Sequence, residues 1–163
     1  MTTPVSDARI QVAYGYGLHN VDHIAATCRE AGVPFHVACA LFEKESMGRN
    51  VYGHDKGGAL SGFPYPVSRE NYRVFIWLVR NGQTSNGVGP AQITWPGFFS
   101  LMLDDDLKPW DIHDNMRFGL DLLRSYHDFT GTWQGAGTKY NGAEAYGVDL
   151  AKKVGEWKGR LNV

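Results

Sequence analysis

Residues 34–47 read PFHVACALFEKESM, a stretch that predicts a long and mostly apolar helix. Proline fits the first turn of a helix, where its missing amide donor costs nothing, and the apolar residues that follow have helical spacing. At about 100° per residue, Ala38, Leu41 and Phe42 lie within about 60° of Glu45 around the helix axis. Glu43 lies on the opposite side, where we expect it to face water.

The place of Glu45 within this apolar stripe bears on its acidity. Burial penalises the ionised form of a carboxyl group and therefore raises its pKa. A carboxyl group that keeps its proton near neutral pH is suited to general acid catalysis, in which it protonates a poor alkoxide leaving group. The alternative is that Glu45, near the end of its helix, turns outward to solvent or bonds a loop amide.

Helical spacing recurs on both sides of this stretch and predicts a mainly α protein. Asn20 and Thr94 are expected to be N-caps, while Gly32, Gly48 and Gly131 are expected to end helices. Residues 74–79 alone would also suit a buried strand, although the surrounding pattern favours a helix. The expected helices cover residues 5–14, 20–31, 34–47, 69–80, a segment from 94 onwards, 114–129, 134–141 and 148–158.

Two glycine-rich segments, residues 48–66 and 81–93, separate these helices, and we expect both to form loops that carry function. The first has the composition for a short β-hairpin and contains His54 and Asp55. An Asp in such a string is typical of a turn, because its short side chain bonds neighbouring amides. Alternatively, Asp55 is a base that activates water opposite a general acid. The histidines show no metal-ligand spacing, so we predict no metal site.

The second loop and the segment around residue 140 offer groups that suit a ligand groove. Residues 87–94 read GVGPAQIT, in which the glycines allow a ligand to approach the backbone and Gln92 offers both a donor and an acceptor. No lysine follows as in a phosphate-binding loop. Tyr140 beside Asn141 places a ring next to an amide, a pair typical of sugar sites. The alternative is a buried tyrosine with an Asn cap.

Length and composition limit the possible classes. The 163 residues fit one domain spanning 1–163. A net charge of −1, from 16 Lys and Arg against 17 Asp and Glu, argues against nucleic-acid binding through phosphates. No stretch approaches the ~20 apolar residues of a membrane span, so membrane insertion is not expected. Cys28 and Cys39 occur in apolar helical surroundings and are expected to be buried free thiols.

The first residues show no basic patch followed by an apolar core, so no signal peptide is expected. Synthesis in a cytoplasm follows from that expectation. Any work outside the cell then requires another exit route or a larger parent chain with further modules.

Three segments taken in order resemble the signature blocks of the soluble lytic transglycosylases and goose-type lysozymes. These segments are ALFEKES at 40–46, GPAQI at 89–93 and YNG at 140–142, where the family has approximately Ala-Leu-Ile-x-x-Glu-Ser, Gly-Leu-Met-Gln-Ile and Tyr-Asn-Ala-Gly. The GVGPAQIT variant and the YGHD loop are most similar to glycosidase modules of endolysins from phages of mycobacteria and related actinobacteria. Pro90, Ala91 and the Asn141-Gly142-Ala143 string depart from the family pattern, and an insertion separates the Asp55 loop from the second block.

This resemblance implies a lysozyme-like fold, with a small loop or hairpin region beside a cleft that cuts peptidoglycan between N-acetylmuramic acid and N-acetylglucosamine. Glu45 matches the catalytic acid of the family. The positions that match groove-lining residues are Ser46, Gln92, Ile93, Tyr140 and Asn141, and His54 is a further candidate beside the substrate. In the family this tyrosine lies close to the catalytic Glu. Asp55 decides between two outcomes: if it faces the groove it orients water for hydrolysis, and otherwise the sugar's own 6-hydroxyl attacks.

We therefore expect a monomer without cofactor that binds peptidoglycan glycan strands and acts on the bacterial cell wall after release from the host cytoplasm during phage lysis. Two alternatives stay open. One is a chitinase-like glycosidase of the lysozyme superfamily, and the other is a wall-binding module or phage structural component without catalysis. Because the net charge is close to zero, wall binding is expected to depend weakly on salt.

Overall fold

A computed structural model describes residues 4–163 of the chain and is mainly α-helical, as the sequence predicts. The helices begin and end close to the expected residues. Apolar residues at helical spacing and the glycines that end helices mark these bounds. Residues 4–163 contain eight helices: α1 (Asp7–Gly15), α2 (Val21–Ala31), α3 (Phe35–Glu45), α4 (Arg69–Arg80), α5 (Pro96–Asp104), α6 (Ile112–Thr130), α7 (Trp133–Asn141) and α8 (Glu144–Arg160).

Helix α3 forms the centre of the core. Its residues from Val37 to Phe42 are fully buried, and the helix packs against α2 on one side and α8 on another. Such an apolar helix is stable only when neighbouring elements cover most of its circumference. Because α3 is enclosed, its last turn is held rigidly at the edge of the core, and this turn carries Glu45.

Helices α7 and α8 form a tight hairpin whose close approach depends on glycine. A Cβ at Gly147 would lie 2.3 Å from the carbonyl oxygen of Gln134, and a Cβ at Gly137 would lie 3.1 Å from the Cα of Gly147. Gly142, with φ of 90°, ends α7 and reverses the chain. The hairpin therefore brings Tyr140 and Tyr146 to the same end of the fold.

Several local predictions are confirmed and others are wrong. Gly32 and Gly131 end α2 and α6 in the left-handed conformation, as expected. Asn20 does not cap α2, because its own backbone is left-handed and its side chain donates instead to the Gly48 carbonyl at 2.9 Å. Thr94 does not cap α5 either, since its hydroxyl donates to the Gln92 carbonyl and the helix begins at Pro96.

Residues 69–80 are helical rather than extended, and they pack on α5 through aromatic rings. Tyr72 and Phe75 are buried, and both rings contact Phe99, at centroid distances of 5.9 and 5.7 Å. Trp77 lies on the outer face and is 62% exposed. A strand would have alternated burial with a period of two, whereas the observed pattern follows the helical period.

Residues 48–66 form a loop, as expected, but the short β-hairpin considered for this segment is not present. In the part of the chain that the structure describes, β-pairing is limited to isolated bridges, and two of them join this loop to the 81–93 loop: Tyr52 with Val88 and Gly58 with Thr84. Backbone bonds such as Gly53 N to Gly87 O, at 2.8 Å, hold the two loops together. The loops thus satisfy backbone groups of one another as well as their own, as in the Val88–Ile93 bridge within the second loop.

Cys28 and Cys39 are buried free thiols, as predicted. Among residues 4–163, the helices are all too short or too polar to cross a bilayer.

Candidate active site

A cleft of about 590 Å³ opens where α3, α7 and the two glycine-rich loops meet. Helix α3 contributes Glu45, the 48–66 loop contributes Asp55, and α7 contributes Tyr140 and Asn141. The remaining residues of its wall are Thr84, Ser85, Gly87, Gln92, Ile93, Thr94, Trp95, Pro96, Phe98 and Leu122. Helix ends and loops far apart in sequence therefore converge on one open concavity, which is the usual form of a ligand site.

Glu45 is the last residue of α3 and lies on the helix face shared by the fully buried Ala38, Leu41 and Phe42. Burial raises its pKa from the ordinary value of 4.5 to about 7, and this effect outweighs the lowering by a hydrogen bond from Tyr146 and by the charge of Lys44. Glu45 therefore holds its proton near neutral pH while its side chain borders the cleft. The outward-turned alternative is not what the structure shows.

Tyr146, in the first part of α8, donates its phenol hydrogen to Oε1 of Glu45. Lys44 lies beside this pair, with its Nζ 4.4 Å from the centre of the Tyr146 ring and 2.5 Å from Oδ2 of Asp149. Burial, followed by the charge of Glu45, raises the pKa of Tyr146, so its phenol stays protonated and remains a donor. No pattern in the sequence predicts this contact, because it depends on how α8 packs on α3.

Tyr140 lines the cleft, but its hydroxyl donates to the Ala91 carbonyl at 2.7 Å rather than to Glu45. Burial is the main cause that raises its pKa, and the charge of Glu45 adds to the effect, as expected for a ring near that carboxyl group. Tyr140 therefore joins α7 to the second loop. The adjacent Asn141 is exposed at the rim, where its amide is available to a ligand.

Gln92 holds the two loops together from inside the cleft wall. Its Nε2 donates to the carbonyls of Val51, at 3.0 Å, and Gly89, at 2.9 Å. Its Oε1 lies so close to Gly87 that a Cβ there would approach it to 2.3 Å, which explains the need for glycine at that position. The neighbouring Ile93 is 3% exposed and contributes an apolar part of the wall.

Asn115 of α6 fixes the second loop from behind. It is fully buried, and its Nδ2 donates to the carbonyls of Val88 and Pro109 while its Oδ1 accepts from the Ala91 amide. The Ala91 amide and the Pro109 carbonyl, which would otherwise have no partner, are thereby satisfied, and the Val88 carbonyl gains a second donor besides the Ile93 amide. Asn115 therefore attaches the second loop to α6.

Asp55 is exposed and lines the cleft. Its turn is held by backbone groups, since its carbonyl accepts from the Gly58 amide at 2.9 Å and its own amide is directed at Oδ1 of Asn86. Its carboxylate makes no hydrogen bond or ion pair with any residue between 4 and 163. Asp55 therefore begins a turn through its backbone, as its sequence context suggests, while its carboxylate is exposed at the cleft.

The structure does not bring Ser46 and His54 into the cleft wall. Ser46 donates its hydroxyl to the Pro90 carbonyl at 2.8 Å and so connects the end of α3 to the second loop. His54 is exposed and lies against Gly62, outside the residues that line the cleft. The family resemblance suggests a groove-lining role for Ser46, and His54 is a further candidate, but neither residue lines the cleft.

The expectation that Glu43 faces water is also wrong. Helix α8 covers it, and its carboxylate accepts from Trp157 Nε1 at 2.6 Å and pairs with Arg160 at 3.2 Å and Lys153 at 3.4 Å. Helix geometry separated the two acids of α3 correctly, but it could not show that a second helix would cover the polar side. Glu43 is a structural anchor for α8.

Trp95 is a cleft residue that sequence reasoning missed. It is 61% exposed, lines the cleft, and is supported edge-on by Phe98 at a centroid distance of 4.9 Å. An exposed tryptophan next to a polar groove offers a flat apolar face with a polar edge. Its position directly after the glycine-rich loop is a sequence signal that could have identified it.

Among residues 4–163, no group of three or more His, Cys, Asp or Glu side chains is arranged to hold a metal ion. Comparison with protein-family models, curated proteins and solved structures finds no match for this chain.

Proposed function

We propose that this protein is a glycosidase that cleaves the β-1,4 bond between N-acetylmuramic acid and N-acetylglucosamine in peptidoglycan, on a lysozyme-like fold, with Glu45 as general acid. The observation that carries the proposal is a carboxyl group with a pKa of about 7 at the wall of an open cleft. A general acid is most effective when its pKa lies near the working pH.

In the proposed reaction, Glu45 transfers its proton to the glycosidic oxygen as the bond from that oxygen to C1 of the muramic acid breaks. A water molecule then bonds to C1 and gives up a proton to the Asp55 carboxylate. The free carboxylate of Asp55 at the cleft supports this hydrolytic course, in which one carboxyl group acts as acid and the other as base.

The composition of the cleft suits a sugar chain. Trp95 offers an exposed ring face on which a pyranose can pack, and Asn141 offers a donor and an acceptor at the rim. A cavity of about 590 Å³ is within the usual range for small-molecule sites and has room for saccharide units. Lysis of a phage host is the biological role that we propose for this activity.

The test is the release of soluble fragments from purified peptidoglycan by the Glu45→Gln variant. We expect turnover at least about a hundredfold slower than that of the unaltered protein, because the amide has no proton to transfer. Glu144→Gln, which removes an exposed acid outside the cleft wall, is the matched control and should keep full activity. Comparable turnover by Glu45→Gln would refute the proposal, and wall binding without fragment release by the unaltered protein would indicate a binding module.

Product analysis separates the possible reactions. Hydrolysis gives a reducing end, whereas attack by the sugar's 6-hydroxyl gives a 1,6-anhydro end that is lighter by one water. We expect the unaltered protein to release products with reducing ends, and we expect the Asp55→Asn variant to release none. Faster cleavage of chitin oligomers than of cell wall would instead support the chitinase alternative.

A further inference from the structure

A second cavity, of about 580 Å³, lies on the outer side of α4 and is separate from the chemistry at Glu45. We call it the α4 groove. It is bounded by α4, by one side of α5 and by Trp110, and it shares Pro96 with the wall of the first cleft. Helix α4 lies within the insertion that separates the Asp55 loop from the second family-like block, so the resemblance assigns nothing to it.

Three arginines of α4 line this groove: Arg69, Arg73 and Arg80. Their spacing places them on one side of the helix. Among residues 4–163, they form no ion pair or hydrogen bond through their side chains, and no Asp or Glu lines the groove. The protein has a net charge of only −1, yet this groove collects three arginines; Asp106 shares an adjoining cavity with Arg69, whereas no Asp or Glu lines a cavity with Arg73 or Arg80 among the described residues.

A buried hydroxyl group without a partner lies in the wall of the same groove. Tyr72 is 4% exposed, and its hydroxyl makes no hydrogen bond. Its ring is held between Trp110, at 5.2 Å, and Phe99, at 5.9 Å. Burial raises the pKa of Tyr72, and the positive charge of Arg80 acts on the same phenol in the opposite direction.

An unpaired buried hydroxyl is destabilising, and such groups are rare in folded proteins. A ligand that supplies an acceptor would remove this cost. Because the neighbouring cations are guanidinium groups, the acceptor with the best fit is an anionic oxygen of a phosphate or carboxylate, which arginine binds in a bidentate manner. Trp77, 62% exposed in the same groove, adds a flat ring on which a sugar can pack.

We propose that the α4 groove binds an anionic saccharide, with its phosphate or carboxylate held by Arg73, Arg80 and the Tyr72 hydroxyl and its sugar ring packed on Trp77. The proposal does not depend on cleavage at Glu45. If the glycosidase function also holds, the shared Pro96 makes the groove a continuation of the cleft, suited to an anionic part of the wall polymer.

The experiment is a titration of the folded protein followed by two-dimensional NMR of its arginine and tryptophan side-chain N–H groups. The probes are N-acetylglucosamine 1-phosphate, glucuronate, neutral N-acetylglucosamine and inorganic phosphate. These probes contain no glycosidic bond between sugars that the cleft could cut, so failure of the glycosidase proposal would not affect the result. We expect the two anionic sugars to shift the Trp77 and Arg80 signals. The anionic sugar that binds with the higher affinity identifies phosphate or carboxylate as the natural group.

Variants locate the binding. Tyr72→Phe and Arg80→Gln are each expected to weaken the affinity of the anionic sugar about tenfold, because each removes a hydrogen bond to a charged group. Arg9→Gln on α1 is the matched control and should change nothing. Loss of an unpaired hydroxyl should leave the melting temperature of Tyr72→Phe equal to or higher than that of the unaltered protein. Weaker binding by this variant would therefore not result from unfolding.

Two results would overturn the proposal. If neutral N-acetylglucosamine bound as tightly as N-acetylglucosamine 1-phosphate, the arginines would not contribute to binding. Unshifted α4 signals with all four probes, together with binding to vesicles that contain phosphatidylglycerol, would assign the surface to an anionic membrane instead.

Discussion

Replacing Glu45 by glutamine tests how much free energy of unfolding the protein loses by burying this carboxyl group. The test needs no assay of activity. Its pKa rises from 4.5 to about 7 on folding, and burial is the main cause. Below pH 4.5 both the folded and the unfolded chain hold the proton, so the group contributes nothing to the free energy of unfolding. As the pH rises to about 7, only the folded state still holds it, and stability falls.

One pKa unit corresponds to about 1.4 kcal/mol, so the folded protein loses about 3 kcal/mol at Glu45 once the pH exceeds 7. Glutamine has similar volume, can still accept the bond from Tyr146, and never ionises. We therefore expect Glu45→Gln to be more stable than the unaltered protein by about 3 kcal/mol at about pH 8 and to differ little at about pH 4.

Urea denaturation followed by tryptophan fluorescence, repeated across this pH range, measures the difference. Glu43→Gln is the matched control, because it changes the same residue type two positions away on α3. Its carboxylate pairs with Arg160 and Lys153, so this variant should be less stable at about pH 8. A Glu45→Gln variant that is less stable than the unaltered protein at about pH 8, or a difference that does not vary with pH, would refute the reasoning.

Three further predictions concern the supports of the cleft. Tyr146→Phe removes a bond that lowers the pKa of Glu45, so the alkaline limb of the pH–activity profile should move up by about one pH unit; an unmoved or lowered limb would contradict this. Asn115→Ala leaves two backbone groups unpaired, the Ala91 amide and the Pro109 carbonyl, and should lower the free energy of unfolding by about 3 kcal/mol, measured by urea denaturation. Gly119→Ala places a Cβ 2.4 Å from that of Ala91 and should cost about 1–3 kcal/mol in the same assay, whereas a neutral effect would show that the second loop is not tightly packed there.

The helices and the orientation of Glu45 could be predicted from the sequence because both depend on local periodicity. On α3, Ala38, Leu41 and Phe42 lie on the same side of the helix as Glu45, and this placement follows from helix geometry alone. For the same reason α4 was recognisable as a helix despite its run of β-branched and aromatic residues. Local signals of this kind need no knowledge of the neighbouring elements.

The contacts between elements could not be predicted in this way. Glu43 is covered by α8, and Tyr146 reaches Glu45 across a separation of 101 residues. The two glycine-rich loops pair with each other because side chains such as Asn86 and Gln92 satisfy backbone groups on both. Helical periodicity carries no information about which partner an element meets, and the cap expected at Asn20 failed for the same reason, because its side chain bonds the distant Gly48 carbonyl.

The central claim is that Glu45 holds a proton near neutral pH at the wall of the cleft. The most direct measurement is a carbon-13 NMR titration of its side-chain carboxyl group between about pH 4 and pH 9, with the signal assigned by its loss in Glu45→Gln. A midpoint at about 7 is predicted. A midpoint near the ordinary value of 4.5 would show that the carboxyl is solvated and ionised, and the claim would be contradicted.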